Sequence, residues 1–180
     1  LEEAEVAVVN TCGFIESAKQ EAIETILETA QYKKTGRLKA LIATGCLTQR
    51  YREEFQKELP EVDGVLGTGS YESIVDAVRE TLAGRRYAAF GDKDCAPLEG
   101  GRILSTPPYT AYLKIAEGCD NHCAYCVIPS LRGRYRSRRL EDILEEARGL
   151  CAAGVGELIV VAQDITRYGS DRYQKPMLPE

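Results

Sequence analysis

EVAVVNTCGFIESAKQEAIETILETAQYKKTGRLKALIATGC, residues 5–46, contains two short β-branched runs separated by a helical pattern. The first run, residues 5–11, ends before Cys12, and the second, residues 38–44, ends at Gly45 before Cys46. Two strands joined by a helix predict a parallel pair, because the crossover returns the chain to the same end of the sheet. The helix positions predicted to face the sheet are Ile15, Ala18, Ala22, Ile23, Ile26, Leu27 and Ala30.

The alternation continues beyond this stretch. Polar helical sequence runs to Glu58, residues 63–67 form a third candidate strand, and Ser70 is a candidate cap for a further helix. The apolar positions of that helix are Tyr71, Ile74, Val75, Val78 and Leu82. Strands that alternate with helices predict an α/β fold, here a doubly wound parallel-sheet domain over residues 1–91.

Residues 92–108 contain three prolines and a Gly-Gly pair without an apolar period, which predicts a linker. The βα alternation then resumes in a second domain, residues 109–180, with candidate strands at 109–117 and 157–164. The helix between them is predicted to turn Leu140, Ile143, Leu144, Ala147, Leu150 and Cys151 inward. Because two strands cannot close a barrel and the first strand starts after four residues, we expect a fragment truncated at both ends.

Composition narrows the function classes. The net charge of −5 argues against non-specific binding to nucleic acid or acidic membranes. No apolar run approaches the roughly 18 residues of a membrane span, and no signal peptide opens the chain. Seven cysteines, clustered and odd in number, indicate reduced thiolate ligands and a cytoplasmic location rather than a disulfide framework.

The densest cysteine cluster is CDNHCAYC, in which Cys119, Cys123 and Cys126 form C-x3-C-x2-C. Zinc sites usually pair two cysteine knuckles, and no second knuckle lies nearby. Iron–sulfur clusters are normally held by four thiolates, so three would leave one iron open to another ligand. A zinc-binding interaction module and a simple electron-transfer iron–sulfur protein remain alternatives at this point.

Cys12 and Cys46 each follow a strand directly, which places both at one edge of the predicted parallel sheet. Their sulfurs are therefore candidates for a second metal site. The alternative for each is a buried structural cysteine.

The C-x3-C-x2-C motif, with Tyr125 before the third cysteine, resembles the signature of the radical S-adenosylmethionine (SAM) superfamily. The resemblance implies a [4Fe–4S] cluster on Cys119, Cys123 and Cys126, the catalytic cysteines, whose open iron chelates the methionine part of SAM. It also implies that an electron from the cluster cleaves the sulfonium and releases a 5′-deoxyadenosyl radical. Residues 109–180 would then begin a partial TIM-like barrel.

VNTCGF and TGCLTQRY resemble the second and third auxiliary cysteine motifs of the methylthiotransferase family. This resemblance implies an auxiliary [4Fe–4S] cluster on Cys12, Cys46 and an upstream cysteine, hence two clusters in the full-length enzyme. It also implies a C-terminal TRAM domain beyond this chain. The fragment by itself is expected to be inactive.

Four stretches are most similar to the ribosomal-protein aspartate branch of that family: NTCGFIESAKQEAI, TPPYTAYLKIAEGC, CVIPSLRGRYRSR and AQDITRYGSD. The resemblance implies transfer of a methylthio group to the β-carbon of an aspartate in a small-subunit ribosomal protein. It implies a low-potential electron donor as partner, no membrane, and contact with nucleic acid only through the ribosome. A transfer RNA adenosine methylthiotransferase would share every cysteine and stays an alternative.

Tyr125, Gln163 and Arg132 are the candidate cofactor-binding residues. Gln163 and Asp164 end the second barrel strand and either hydrogen-bond the cofactor or substrate, or cap the strand. The arginines from 132 to 139 suit a nucleic-acid footprint, a solvated turn or a grip on a carboxylate. His122 is assigned to a loop hydrogen bond, with iron ligation as the alternative. Cys151 is assigned to the core. Cys95 is assigned to the linker, with a role as a substitute auxiliary ligand as the alternative.

Overall fold

The computed structural model describes residues 1–179. The chain divides into two compact units, one from Leu1 to Ala96 and one from Pro97 onward. Each unit has its own strands and its own buried apolar clusters.

The first unit is a four-stranded parallel sheet in the order β1-β2-β3-β4. Its strands are Val6–Thr11, Ala40–Gly45, Gly64–Leu66 and Tyr87–Ala89, numbered in chain order. Its helices are α1, Glu16–Thr35; α2, Cys46–Glu58; and α3, Ile74–Leu82, which a short 3-10 turn precedes. The expected α/β class with a parallel sheet is confirmed.

Helices cover both faces of this sheet. On one face Ile26 of α1 and Phe55 of α2 pack against Leu41. On the other face Ala77 of α3 packs against Ile42 and Leu66. Successive residues of β2 point to opposite faces, so a strand covered by helices on both sides is buried at every position, as all six residues of β2 are.

Three details of the first unit differ from expectation. The strand β4 was not predicted, since three residues are too few for a period. Ser70 does not cap a helix; its hydroxyl oxygen accepts a hydrogen bond from the Gly91 amide, 2.6 Å away. The inward faces of the helices are narrower than predicted, and the following positions are exposed: Ile15, Ile23, Leu27, Tyr71, Val75 and Leu82.

The second unit contains two small sheets. The strands β5, Thr110–Lys114, and β8, Glu157–Val161, pair in parallel, and β6, Ala116–Glu117, pairs antiparallel with β7, Arg136–Ser137. Two helices complete it: α4, Ile128–Arg132, and α5, Leu140–Ala152. The predicted strand 109–117 is thus broken at Ile115, and α4 and β7 were not predicted.

The helix α5 packs on one face of the β5–β8 pair through Ile143, Ala147 and Leu150. Ala147 follows Ile143 by four residues and Leu150 follows Ala147 by three, so the three side chains lie on one face of the helix. Leu144 and Cys151 lie one position further round the helix and are exposed. The prediction that Cys151 is a core residue was therefore wrong.

No helix among the residues that the structure describes combines the length and the apolar character needed to cross a membrane.

Candidate metal centre

The loop that carries the three clustered cysteines begins directly after β6, at Gly118. Gly118 has a φ of 80°, and a Cβ at this position would lie 2.0 Å from the Arg134 carbonyl oxygen. The next amide, of Cys119, donates a hydrogen bond to the Gly133 carbonyl oxygen, 3.2 Å away. Both ends of the cysteine loop are therefore held together by backbone contacts that only glycine permits.

The three thiols differ in exposure along this loop. Cys119 is buried, Cys126 is partly buried and Cys123 is exposed. The Cys126 amide donates to the Cys123 carbonyl oxygen at 2.9 Å, which closes a turn between these two residues. Two thiols thus lie on one tight turn, and the third lies where the loop leaves the sheet.

An open depression of about 530 Å³ is lined by Cys123 and Cys126 together with His122 and Pro129. Thiolates are the usual ligands of iron–sulfur clusters, and a depression of this volume falls within the range of cofactor sites. The donor set therefore fits such a cluster. Within residues 1–179, however, no three cysteine, histidine or acidic side chains are already gathered closely enough to hold a metal ion.

Glu117, the last residue of β6, makes several polar contacts beside the cysteine loop. Its buried carboxylate accepts hydrogen bonds from Gln163 Nε2 and Lys114 Nζ, each at 3.1 Å. It also accepts from the Gly118 amide at 3.3 Å and lies 3.6 Å from an Arg132 guanidinium nitrogen. The Glu117 carboxylate therefore contacts both Gln163 and Arg132, two of the three candidate cofactor-binding residues. Sequence reasoning missed Glu117.

Asp164 ties the same loop to the end of β8. Its carboxylate accepts from Asn121 Nδ2 at 3.1 Å and from the Thr166 amide at 3.1 Å. The hydrogen bonds from Thr166 and Asn121 hold the pKa of this carboxyl below its usual range. Asp164 thus has the strand-end capping role that was one of its two predicted alternatives, and Asn121 is a further loop residue that the sequence did not single out.

Tyr135 supports the loop from beneath. Its amide donates to Asp120 Oδ1 at 2.9 Å, and its hydroxyl donates to the Asp164 carbonyl oxygen at 2.9 Å. Burial raises the pKa of Tyr135 to about 12, because a buried phenolate loses its solvation. In the sequence, the only indication of this role is that Tyr135 is an aromatic residue within the run of arginines from 132 to 139.

The other candidate residues differ in their exposure and in the groups they contact. Tyr125 is 90 % exposed at the tip of the loop. His122 has a φ of 47° and lines the depression. Arg138 is buried between Glu99 and Glu146, and the exposed Arg139 lies 3.6 Å from Glu141.

In the first unit, Cys12 and Cys46 lie at one edge of the sheet. The last residues of the two strands, Thr11 and Gly45, are register partners, and each cysteine comes directly after them. A Cβ at Gly13 would lie 2.8 Å from the Cys46 carbonyl carbon, so the two segments touch. Cys12 is exposed and Cys46 is buried.

Cys95 is exposed, and its thiol lies 3.3 Å from Asp92 Oδ2. It follows β4, at the end of the first unit. No third cysteine, histidine or acidic residue of the described chain joins Cys12 and Cys46 in a metal-holding group.

Comparisons with known proteins match both units. Residues 1–67 match UPF0004, described as an uncharacterized protein family, and residues 113–174 match the radical SAM superfamily. The chain is 55 % identical over 180 residues to the protein of Clostridioides difficile (strain 630) named ribosomal protein uS12 methylthiotransferase RimO. Over nearly its whole length the chain is similar to radical SAM methylthiotransferases.

Other methylthiotransferases of the same name match equally far along the chain. The protein of Pelotomaculum thermopropionicum is 55 % identical over 177 residues, and that of Thermoanaerobacter sp. (strain X514) is 54 % identical over 178. These matches cover 98 % of this chain and 40 % and 41 % of the relatives. The chain therefore spans about two fifths of the methylthiotransferases it matches, and it is most similar to the ribosomal-protein branch, as the sequence motifs indicated.

Proposed function

We propose that the protein containing this chain adds a methylthio group to the β-carbon of an aspartate in a small-subunit ribosomal protein. The observation that carries the proposal is the 55 % identity, over 99 % of the chain, to a protein named as a ribosomal protein uS12 methylthiotransferase. The radical SAM match over residues 113–174 supports the reaction class.

In this proposal Cys119, Cys123 and Cys126 hold the cluster that, with bound SAM, supplies the radical for hydrogen abstraction. Cys12 and Cys46 are two ligands of a second, auxiliary [4Fe–4S] cluster. Their support is the cysteine spacing and, for the auxiliary pair, the shared edge of the sheet. The enzyme further requires a low-potential electron donor, and we assign it to the cytoplasm.

Gln163 and Arg132 are proposed to bind SAM, with Glu117 as the positioning residue between them. The carboxylate holds Gln163 Nε2 by a hydrogen bond and attracts the Arg132 guanidinium, so both side chains are oriented from one anchored point. Tyr125, exposed at the loop tip, is the third proposed contact to the cofactor.

The test is expression of the complete gene in a host that lacks its own methylthiotransferases, followed by mass spectrometry of ribosomal proteins and of transfer RNA. We expect a methylthio group on one ribosomal-protein aspartate and unmodified transfer RNA. Cys119→Ala in the same gene is the control and should abolish the modification. A methylthio group on transfer RNA adenosine, with the ribosomal protein unmodified, would overturn the substrate assignment.

A further inference from the structure

A groove between α1 and α2 in the first unit is not used by the proposed chemistry. Its volume is about 720 Å³. Apolar side chains form its floor, and five glutamates lie among its lining residues: Glu16, Glu24, Glu54, Glu58 and Glu61.

The floor of the groove is apolar. Leu47, Phe55 and Leu59 form its base and belong to the buried core. Ile23 and Leu27, one turn apart on α1, are 37 % and 40 % exposed in its wall. Large apolar side chains that are adjacent and solvent-exposed in a concave site mark an interaction surface more often than isolated ones do.

The rim of the groove is acidic. Five glutamates line it, against Lys19 as the single basic residue among the described lining residues. Lys19 itself is engaged, since its ammonium pairs with Glu16 and donates a hydrogen bond to the Tyr51 hydroxyl at 3.4 Å. A partner that enters the groove would therefore contact an apolar floor that is surrounded by negatively charged side chains.

We propose that this groove docks a basic amphipathic helical segment of a partner protein. Two apolar side chains one turn apart would contact Ile23 and Leu27, and flanking lysines or arginines would face the rim glutamates. A second copy of this chain is disfavoured as occupant, because its net charge of −5 and the same acidic rim would repel. The proposal does not depend on the proposed enzymatic function.

The electrostatic part is tested with a labelled peptide of about fourteen residues, four helical turns with leucines on one face and lysines on the other. The peptide is titrated into the 180-residue chain at low and at physiological salt. Glu54→Gln combined with Glu58→Gln should weaken binding by about three- to tenfold and reduce its salt dependence. Glu53→Gln is the matched control, because this exposed residue of α2 does not line the groove.

The apolar part is tested with Ile23→Ser combined with Leu27→Ser, which should weaken binding by at least about tenfold. Val75→Ser on α3 removes an apolar side chain that is still more exposed, at 53 %, but lies outside the groove, and it should leave binding unchanged. Circular dichroism confirms that each variant remains folded.

Three results would overturn the proposal. The first is no binding of the basic peptide, or equal binding by the groove variants and the wild type. The second is equal binding of a peptide with glutamates in place of the lysines. The third is a dimer in sedimentation equilibrium that the groove substitutions dissociate, which would assign the groove to a second copy.

Discussion

At the scale of single residues, Gly118 and Glu117 decide how the cysteine loop leaves the sheet. Gly118 supplies a left-handed backbone conformation at a point where the Arg134 carbonyl is too close for any side chain. Glu117 supplies the carboxylate on which Gln163 and Lys114 converge. Neighbouring residues thus set the path of the loop and its polar environment.

Gly118→Ala is expected to lower the free energy of unfolding by more than about 3 kcal/mol, because a Cβ would overlap the Arg134 carbonyl at an unfavourable φ. Urea denaturation followed by circular dichroism measures the change. Gly149→Ala is the control: this helical glycine has no neighbouring atom within 4 Å of an added Cβ, so the substitution should stabilise by about 0.5–1 kcal/mol. Equal effects of the two substitutions would contradict the role of Gly118.

Glu117→Ala in the complete enzyme is expected to raise the KM for SAM and to reduce kcat/KM for SAM cleavage by about tenfold, since Gln163 and Arg132 lose their shared anchor. Iron content should stay at the wild-type level, because no cysteine is altered. Glu145→Ala, at an exposed position of α5, is the control. An unchanged KM would show that Glu117 has no positioning role.

The stability of the folded chain should depend on pH through Tyr135, because the phenol of this residue is buried. Its pKa is raised to about 12 in the folded chain, against about 10 in an unfolded one, so the unfolded state loses the proton first as pH rises. Stability is therefore fully present below pH ~10 and falls between about 10 and 12.

Tyr135→Phe should make the loss of stability above pH ~10 shallower and remove part of the tyrosinate absorbance that appears near pH 12. Urea melts across this range and a spectrophotometric titration measure both effects. The urea-unfolded wild type, in which this group ionises near its ordinary value, is the reference. The same titration in wild type and variant would contradict the burial of the phenol.

At the scale of elements, the junction between β7 and α5 depends on a buried arginine. Arg138 Nε donates to both carboxylate oxygens of Glu99, at 2.9 and 2.8 Å. Its Nη1 donates to Glu146 Oε2 at 2.6 Å and to the Lys114 carbonyl oxygen at 2.7 Å. One guanidinium thus joins β5, α5 and the segment before β5, and it has a structural position rather than one on a nucleic-acid surface.

Arg138→Lys is expected to lower the free energy of unfolding by about 1–3 kcal/mol, because an ammonium cannot reproduce the planar set of donors in a buried site. Thermal and urea unfolding measure the loss. The neighbouring Arg139→Lys is the matched control and should change stability by less than about 0.5 kcal/mol, since Arg139 is exposed. If both substitutions are neutral, the network does not stabilise the junction.

At the scale of the whole molecule, the two units have separate sheets, separate cores and separate cysteine sets. Three cysteines, Cys119, Cys123 and Cys126, share one loop, whereas only two, Cys12 and Cys46, lie at the edge of the first sheet. The two sets should therefore differ in their capacity for iron.

Anaerobic reconstitution of the 180-residue chain is expected to yield about four irons per chain, because three thiolates can hold one cluster and two thiolates hold one poorly. Replacing Cys119, Cys123 and Cys126 by alanine should remove most of this iron, as measured by iron and sulfide analysis. Replacing Cys12 and Cys46 should remove little. About eight irons per chain would mean that Cys95 or another group completes the auxiliary set.

The sequence by itself determined the α/β alternation, the two cysteine sets and their positions at strand ends. Strand and helix periods are local properties, so β1 and β2 lie within two residues of their predicted bounds and α2 ends at the predicted Glu58. The family resemblance depends on short contiguous motifs, which need no folding to be recognised. Cys12 and Cys46 could be placed at one edge because parallel strands leave no other arrangement.

Only the tertiary structure decided which apolar helix positions are buried and which polar groups meet. Ile23, Leu27 and Cys151 share a helical period with core residues but are exposed, because burial depends on what packs alongside and not on the period. Glu117 meets Gln163 across 46 residues of chain, and Arg138 meets Glu99 across 39. Such contacts are fixed by the pairing of β5 with β8 and of β6 with β7, which no local pattern specifies.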